Sequence, residues 1–259
     1  FMQVATWNVN SIRARLDLVA EWLVDQRPDV CCLQETKCTD DDFPFDVFEG
    51  IGYQVAHHGL NHWNGVAILS RIGLRKVRRG FRGTQSEPFN EARSISADCG
   101  GVRVWSIYAP NGRALDDPHY LFKLVWFERL RGDLIDARAA KNPTVVTGDF
   151  NVAPSDLDIY DPRRWKHRTH ASAPERAAIE ALLDLGFFDL AREWEGDGPS
   201  YTWRNYRSKL DEDRGLRIDL ALGSEPMFEK LKGVSVDRIA RRAERPSDHA
   251  PLIVDFVGP

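Results

Sequence analysis

The chain has 259 residues, a formal net charge of −4 and four cysteines. No apolar run is long enough to span a bilayer, no CxxC zinc spacing occurs, and the acidic balance argues against a protein that coats nucleic acid nonspecifically. Without a low-complexity linker, we expect a single domain over residues 1–259. The chain begins directly on a predicted strand instead of a cleavable leader, so we expect a cytoplasmic protein.

Strands and helices are mixed in the first half of the chain. Apolar runs predict strands at residues 4–7, 30–33, 53–57, 66–70, 95–99 and 102–108. Apolar residues at helical spacing predict a helix between the first two strands, which ends before Pro28. Gly100 and Gly101 predict a tight hairpin between the last two strands.

The second half continues this mixture. Pro118 begins a long predicted helix, a strand follows at residues 144–147, and a further helix covers residues 174–185. Short strands are predicted at residues 201–203, 217–222, 234–237 and 252–256. This order predicts an α/β protein in which two packed mixed sheets are flanked by helices.

The most informative segment follows the predicted strand at residues 144–147. Gly148 lets the backbone turn, and Asp149 and Asn151 then project near the end of the strand. A carboxylate accepts protons, and an amide both donates and accepts hydrogen bonds, so the pair suits a water or a phosphate oxygen. The alternative is an ordinary turn after a core strand, because Gly and Asp are common turn residues.

Other polar segments, mostly after apolar strands, share this character. In chain order they contain Asn8 with Asn10, Glu35, Tyr108 with Asn111, Asp219, and Asp248 with His249. Together with residues 147–154, these segments resemble the exonuclease III family of apurinic/apyrimidinic DNA endonucleases, within the endonuclease/exonuclease/phosphatase superfamily. The resemblance spans nearly the whole chain. It implies one catalytic domain, a four-layered α/β sandwich of two mixed β-sheets flanked by helices, with its site at one edge between the sheets. The chain looks like the compact bacterial form, since animal members carry an extension before the first strand.

Phosphodiester hydrolysis needs a cation on the phosphate, and Mg²⁺ usually takes one or two protein carboxylates. By resemblance Glu35 is the metal glutamate, and the alternative is a surface residue beside Lys37. The resemblance also assigns Asn8 to the metal shell or the phosphate, and Asp248 to a second metal position. Asn10 stands where some members have Asp, which implies looser metal binding, or else it is a turn residue that caps the next helix. The expected cofactor is Mg²⁺, with Mn²⁺ as a substitute.

A histidine near neutral pH can stabilise or protonate a pentacovalent phosphorane. By resemblance this is His249, with Asp219 holding its other ring nitrogen, and the alternative is a structural His–Asp pair. The resemblance assigns Asp149 and Asn151 to activating and positioning the water. Either Asp149 or His249 is then the base.

Phosphate and backbone contacts form a further set of expectations. By resemblance Tyr108 and Asn111 hydrogen-bond phosphate oxygens, and Gly112 permits close backbone approach. Basic residues cluster at 75–79 with Arg82, at 163–168, and at Arg238 with Arg241, Arg242 and Arg245. Each run alone is typical of a solvated face, but several runs in loops beside polar motifs favour DNA binding.

Recognition of the substrate depends on two loops. By resemblance Trp203 forms a wall for a base-free sugar flipped from the duplex, whereas the alternative is a core aromatic under a loop. His62 and Trp63 lie in a segment that resembles another DNA-facing loop of the family.

These residues predict a Mg²⁺-dependent phosphodiesterase that cuts duplex DNA 5′ to an abasic site and leaves a 3′-hydroxyl. We also expect 3′-to-5′ exonuclease activity and cleaning of blocked 3′ ends, from a monomer that does not bind membranes. The alternatives are a phosphoinositide or sphingomyelin phosphodiesterase of the same superfamily, or a DNA-binding module without catalysis. The first would be expected to lack the Trp203 loop and the basic loops. The complete polar set argues against the second.

Overall fold

The computed structural model describes residues 1–83, 90–139, 142–198, 200–207 and 214–258. The strands in this part of the chain are β1 (Met2–Asn8), β2 (Val30–Gln34), β3 (Gln54–His58), β4 (Val66–Ser70), β5 (Arg75–Arg79), β6 (Ser94–Cys99), β7 (Val102–Tyr108), β8 (Thr144–Asp149), β9 (Phe187–Asp189), β10 (Asp219–Ser224), β11 (Leu231–Val236) and β12 (Leu252–Phe256). The α-helices are α1 (Leu16–Gln26), α2 (Phe45–Gly50), α3 (Pro118–Ala139), α4 (Pro162–Trp165), α5 (Ala173–Leu183), α6 (Leu190–Glu195) and α7 (Glu225–Phe228). None of the helices so described combines the length and the apolar character that crossing a membrane requires.

The strands form two six-stranded sheets. Their spatial orders are β11-β12-β1-β2-β4-β3 in the first sheet and β5-β6-β7-β8-β10-β9 in the second. Each sheet has one parallel pair at its centre, β1 with β2 and β7 with β8, and its other neighbouring strands are antiparallel. The prediction of two mixed sheets is therefore confirmed.

Alternation of side chains along each strand creates the layers. Successive residues of a strand face opposite sides of the sheet, so the neighbours Cys31 and Cys32 lie in different apolar clusters. Cys32 packs between the sheets with residues such as Val104 and Val145, while Cys31 packs beneath α1 and α2. A third cluster joins the outer face of the second sheet to α3 and α5. Helix, sheet, sheet and helix thus form the four layers of the expected sandwich.

Strand direction brings the polar segments to one edge. The carboxyl ends of β1, β2, β7 and β8 lie together there, as parallel pairing requires. Strand β10 runs antiparallel to β8 and pairs its first residue, Asp219, with Asp149. Strand β12 runs antiparallel to β1 and begins three residues after His249. Each polar segment therefore enters or leaves a strand at the same end of the sandwich.

Turn chemistry agrees with the sequence at two positions. Gly100 and Gly101 join β6 to β7 with φ angles of +55° and +85°, and positive φ at both central residues is the requirement of a type I′ hairpin. Helix α5 begins with a capping box, in which the Ser172 hydroxyl accepts from the Glu175 backbone N–H and the Glu175 carboxylate accepts from the Ser172 N–H.

Two predictions about elements were wrong. Residues 201–203 form isolated bridges instead of a strand, because Trp203 pairs its backbone with Leu216 on one side and with His249 on the other. The basic run at residues 75–79 is edge strand β5 and not a loop. Its Arg78 guanidinium lies 2.9 Å from the Asp133 carboxylate of α3 and stacks on the Trp105 ring. Arg78 therefore stabilises the packing of β5 against α3.

Candidate active site

Asn8, the last residue of β1, joins two carboxylates from different sheets. Its amide nitrogen donates to Glu35 Oε1 at 2.8 Å and to Asp149 Oδ2 at 2.9 Å. Its amide oxygen accepts from the Asn10 backbone N–H at 3.0 Å. Asn8 is fully buried, so its orientation is fixed by these partners. The arrangement places two acidic groups a short distance apart on either side of one amide.

Glu35 follows β2 in a left-handed backbone conformation, with a φ of +51°. Such a conformation is uncommon for a residue with a side chain and persists where surrounding contacts enforce it. The Lys37 ammonium lies 3.2 Å from Glu35 Oε2 and donates to Asn10 Oδ1 at 2.6 Å. The ion pair with Lys37, considered as an alternative for Glu35, is present, yet Glu35 also contacts Asn8 inside the site.

Asn10 does not cap the following helix. Helix α1 begins at Leu16 after Arg15, and Arg15 makes no side-chain cap hydrogen bond. Asn10 has a φ of +44° and donates from its amide to the Tyr206 hydroxyl at 3.1 Å. The helix-cap interpretation of Asn10 is therefore wrong, and the residue instead connects the Lys37 and Tyr206 side chains.

Asp149 ends β8 and is buried among charged groups. Its Oδ1 accepts from the Asn151 backbone N–H at 2.9 Å, and the Asn151 amide donates to the Ala109 carbonyl at 2.8 Å. Burial raises the pKa of Asp149 to about 7, the Asp219 and Glu35 carboxylates add to the rise, and His249 opposes it. A carboxyl group with this pKa can exchange a proton near neutral pH.

His249 lies between two carboxylates. Its Nδ1 is 2.7 Å from Asp219 Oδ2, and its Nε2 is 3.6 Å from Asp149 Oδ2. Burial alone would lower the pKa of His249, but Asp219 and Asp149 outweigh burial and raise this pKa to about 10. The two flanking carboxylates therefore favour the protonated form of the ring, in which both nitrogens carry a proton.

Tyr108 connects the second sheet to Glu35. Burial, reinforced by the Glu35 charge, raises the pKa of Tyr108 well above its ordinary value, and its hydroxyl hydrogen-bonds the Glu35 carboxylate. The Arg93 guanidinium lies 4.8 Å from the centre of the Tyr108 ring and donates to the Tyr108 carbonyl at 3.3 Å. Tyr108 is therefore a neutral hydrogen-bond donor at physiological pH.

Asn111 and Gly112 lie in the loop after β7. The exposed Asn111 has its carbonyl oxygen 3.2 Å from Lys123 Nζ and 3.1 Å from Thr169 Oγ1. Gly112 has a φ of +90°, and a Cβ built there would lie 2.5 Å from Thr169 Oγ1. A glycine is thus required by conformation and by space.

Trp203 and Asp248 contact each other at the rim. The Trp203 indole nitrogen donates to Asp248 Oδ2 at 3.0 Å. The half-buried Trp203 ring borders a cavity of about 410 Å³ and packs edge-on against Trp165, with ring centres 6.2 Å apart. Arg164 and Arg168 also border this cavity. Trp203 is therefore a cavity wall, not a fully enclosed core residue.

His62 and Trp63 lie exposed between β3 and β4, and Trp63 is 68% exposed. The end of the same loop is tied to the Glu35 segment. The Lys37 backbone N–H donates to the Asn64 carbonyl at 2.9 Å, and the Thr36 N–H donates to the Gly65 carbonyl at 3.2 Å. These bonds place the base of the His62–Trp63 loop beside the acidic centre.

Two hydroxyl residues that the sequence did not single out support the centre. Thr202 Oγ1 accepts from the backbone N–H groups of Ile218 and Asp219 at 3.2 and 3.1 Å. Ser247 Oγ donates to the Asn8 carbonyl at 2.6 Å. Ser and Thr are frequent at loop ends, so no spacing in the sequence distinguishes these two from other hydroxyl residues.

The donor chemistry fits a hard divalent cation. Carboxylate oxygens are the ligands that Mg²⁺ takes in proteins, and a cation beside Glu35 and Asp149 would relieve the repulsion that helps raise the Asp149 pKa. Potential ligand atoms of Asp149, Asp219 and His249 also lie within 4.8 Å of one another in the described part of the chain. The ring nitrogens of His249 already face the Asp219 and Asp149 carboxylates, at 2.7 and 3.6 Å.

The sequence profile of the endonuclease/exonuclease/phosphatase family matches residues 5–249, and the chain belongs to this family. Exodeoxyribonuclease III from Haemophilus influenzae is 34% identical over 98% of this chain and 100% of that protein. The structure of the 3′ phosphatase NExo from Neisseria, bound to a product DNA hairpin, is 40% identical with a TM-score of 0.95 and covers 99% of this chain and 100% of that one. An AP endonuclease from Archaeoglobus fulgidus is 38% identical with a TM-score of 0.94, covering 99% of each chain. The family and fold predicted from the polar segments are confirmed.

Proposed function

We propose that this protein is a metal-dependent DNA repair phosphodiesterase. It hydrolyses duplex DNA 5′ to abasic sites to leave a 3′-hydroxyl, and it removes nucleotides or blocking groups from 3′ ends. The observation that carries the proposal is the position of the His249 ring between Asp219 and Asp149, while Asn8 connects Asp149 to Glu35. Relatives that are named as an exodeoxyribonuclease, a 3′ phosphatase and an AP endonuclease support DNA as the substrate.

Glu35 is the principal metal ligand in this proposal, and the ion is Mg²⁺ or, as a substitute, Mn²⁺. A bound divalent cation would withdraw charge from the scissile phosphate. Asn8 shapes the metal shell by holding the Glu35 carboxylate. Asn10 and Asp248 lie outside the set of direct metal ligands, because the Asn10 side chain already contacts Lys37 and the Asp248 side chain already contacts Trp203.

The chain's own groups supply the remaining chemistry. Asp149, whose pKa burial raises to about 7, accepts a proton from the attacking water, which Asn151 positions. The carboxylates beside His249 favour its protonated form, which supports this choice of base. The His249 imidazolium and the Tyr108 hydroxyl stabilise the negative charge that develops on the pentacovalent phosphate. Asn111 and Gly112 bind the phosphate through the loop after β7.

Residues at the edge of the site select the substrate. Trp203 is the wall against which a base-free sugar rests after it leaves the duplex. His62 and Trp63 contact the duplex beside the Glu35 segment, and basic residues 163–168 contact its phosphates. Because site residues come from both sheets, we propose that residues 1–259 act as one catalytic domain. Its monomeric state stays a prediction. The four cysteines are buried free thiols, which agrees with a cytoplasmic location.

The proposal is tested with purified protein and two duplexes, one with an abasic site and one with a 3′-phosphate. Cleavage should occur with Mg²⁺ or Mn²⁺ and stop in excess chelator. Glu35→Gln should lower kcat by orders of magnitude while duplex binding survives, because only the charge that holds the cation is lost. Glu49→Gln, an exposed change in α2, is the matched control and should keep full activity.

Full cleavage in excess chelator would contradict the metal assignment. An inert wild-type protein on both duplexes would contradict the DNA substrate. Hydrolysis of phosphoinositide or sphingomyelin vesicles in its place would favour the lipid phosphodiesterases of the superfamily.

A further inference from the structure

A lysine and a glutamate lie buried directly behind the site. Lys123 of α3 and Glu175 of α5 both have fully buried side chains, and Lys123 Nζ lies 2.6 Å from Glu175 Oε1. Removing two charges from water is costly, and their mutual attraction often only balances that cost. A pair of well-packed apolar residues would stabilise the fold about as well. The stability of the protein alone therefore does not account for an ammonium group at this position.

The remaining contacts of Lys123 lead into the site. Its ammonium donates to the Asn151 carbonyl at 2.6 Å and to the Asn111 carbonyl at 3.2 Å. Glu175, these two carbonyls and Thr169 Oγ1, at 3.5 Å, together surround the three protons of the ammonium. Asn151 follows β8, and Asn111 follows β7. One cation thus ties together the two loops whose amide side chains are proposed to hold the water and the phosphate.

The conformation of Asn151 shows why such a tie is needed. Asn151 has a φ of +51°, a left-handed conformation that surrounding contacts must maintain. Its N–H is held by Asp149, and its carbonyl accepts from both Lys123 and the His170 ring. Without Lys123, only the His170 ring would hold this carbonyl, so the peptide plane after Asn151 and the amide side chain beside it would be less firmly positioned.

Glu175 in turn fixes the ammonium. Its Oε1 also accepts from Thr169 Oγ1 at 2.6 Å and from the His170 N–H at 3.0 Å, while its Oε2 accepts from Ser172 Oγ at 2.6 Å. The carboxylate is therefore anchored to the start of α5 and to the segment before it. These hydrogen bonds fix the position of the Glu175 carboxylate, which in turn holds the Lys123 ammonium from the side away from the site.

We propose that Lys123, held by Glu175, is a positioning residue that sets the separation of the Asn111 and Asn151 loops in the transition state. Lys123 acts through these loops and does not touch the substrate. The inference rests on the proposed nuclease activity, because it concerns the loops that the function assigns to water and phosphate.

The test compares two variants on the abasic duplex. Glu175→Gln keeps one acceptor oxygen for Lys123, Thr169 and His170 and replaces the oxygen that faces Ser172 with an NH2 group. Lys123 then still reaches both carbonyls but is held less firmly, so kcat should fall less than in the double variant. The double variant Lys123→Met with Glu175→Gln removes the tie without leaving a buried unpaired charge. Its kcat should fall on the order of 100-fold, the loss that a displacement of about 1 Å produces. KM and duplex affinity should change little, since most binding contacts lie along the DNA backbone.

The matched control is a different ion pair that also involves α3, between Arg78 of β5 and Asp133 of α3. Arg78→Met with Asp133→Asn removes the ion pair with β5, whose strand is separated from β8 by β6 and β7. This control should lower the thermal midpoint and keep kcat. If the double variant at Lys123 does not fold, Lys123→Gln with Glu175→Gln replaces it, because two amides can pair while the shorter side chain leaves the loop carbonyls.

A loss of kcat in the Lys123 variants that exceeds the loss in Glu175→Gln and is absent from the Arg78–Asp133 control supports the inference. Equal kcat in the Lys123 double variant and in Glu175→Gln overturns it, and so does an equal loss of kcat in the Arg78–Asp133 control. An inactive wild-type protein would instead show that the proposed nuclease function has failed.

Discussion

The charge of His249 is a product of its two neighbours. Burial lowers the pKa of an imidazole, yet the carboxylates of Asp219 and Asp149 reverse that effect and raise the pKa to about 10. His249 therefore has a different role from a histidine that titrates near pH 7. In the proposed mechanism it supplies positive charge, and Asp149 is the group that accepts the water's proton.

We predict that His249→Gln lowers kcat on the abasic duplex on the order of 100-fold or more, as removal of a group that stabilises transition-state charge does. KM should change far less. Asp219→Asn keeps the size of the side chain but removes the charge that holds the imidazolium, so the loss should be smaller. Steady-state kinetics of the three proteins provide the measurement. A His249→Gln variant with near-normal kcat would mean that the ring is only structural.

Short elements at the rim of the site create its pocket. Helix α4 supplies Trp165 and Arg164, while the isolated bridges hold Trp203 between Leu216 and His249. The indole is fixed at its nitrogen by Asp248 and at its ring edge by Trp165. The pocket wall is consequently attached to the same segment that carries His249.

We predict that Trp203→Ala lowers kcat/KM on the abasic duplex more than it weakens salt-dependent binding to intact duplex. Loss of the wall should cost about 1–3 kcal/mol, taking base–aromatic stacking as a guide. Trp203→Phe is the matched control, because it keeps an aromatic wall and loses only the bond to Asp248; it should retain most of the activity. Equal losses of Trp203→Ala on abasic and intact DNA would make Trp203 a packing residue. The salt dependence itself arises from phosphate contacts and should not change.

Over the whole molecule, buried histidines make folding sensitive to acid. His57 lies against Asp40, Thr36 and Arg79, and burial lowers its pKa from the ordinary value of 6.5 to about 4, against the pull of Asp40. Burial also lowers the pKa of His170 to about 4. Through these two residues, the unfolded chain binds more protons than the folded chain between pH 6.5 and 4. Their contribution to stability is fully present above pH 6.5 and is lost as the pH falls towards 4.

We predict that His57 and His170 each contribute on the order of 3 kcal/mol to a fall in the free energy of unfolding across this window. Asp149, with its raised pKa, opposes that fall. His57→Gln should be less stable at pH 7 but should lose less stability between pH 6.5 and 4. His167→Gln is the control, since the His167 ring is already exposed to water in the folded chain. Denaturant titrations at several pH values provide the measurement. Identical pH slopes for wild type and His57→Gln would refute the prediction.

Local patterns were sufficient for the elements and for the composition of the site. Apolar runs located most strands, Gly100 and Gly101 located the hairpin, and polar segments such as Gly148 to Asn151 identified the family, because each signal depends on residues close together in the chain. Residues 201–203 were misjudged, since their backbone is paired by Leu216 and His249, which local propensity does not include.

Only tertiary structure decided how the site residues are charged and held. The protonation of His249 depends on Asp219, 30 residues away, and on Asp149 in the neighbouring strand. Lys123 has the sequence context of any lysine on a helix, and its contact with the Asn151 carbonyl arises only when α3 packs on the second sheet. The sequence by itself determined which chemical groups are present and the order of the strands that carry them. Burial and the distances between groups distant in sequence determined their ionisation and orientation, because electrostatic energy depends on separation and solvent access in the folded chain.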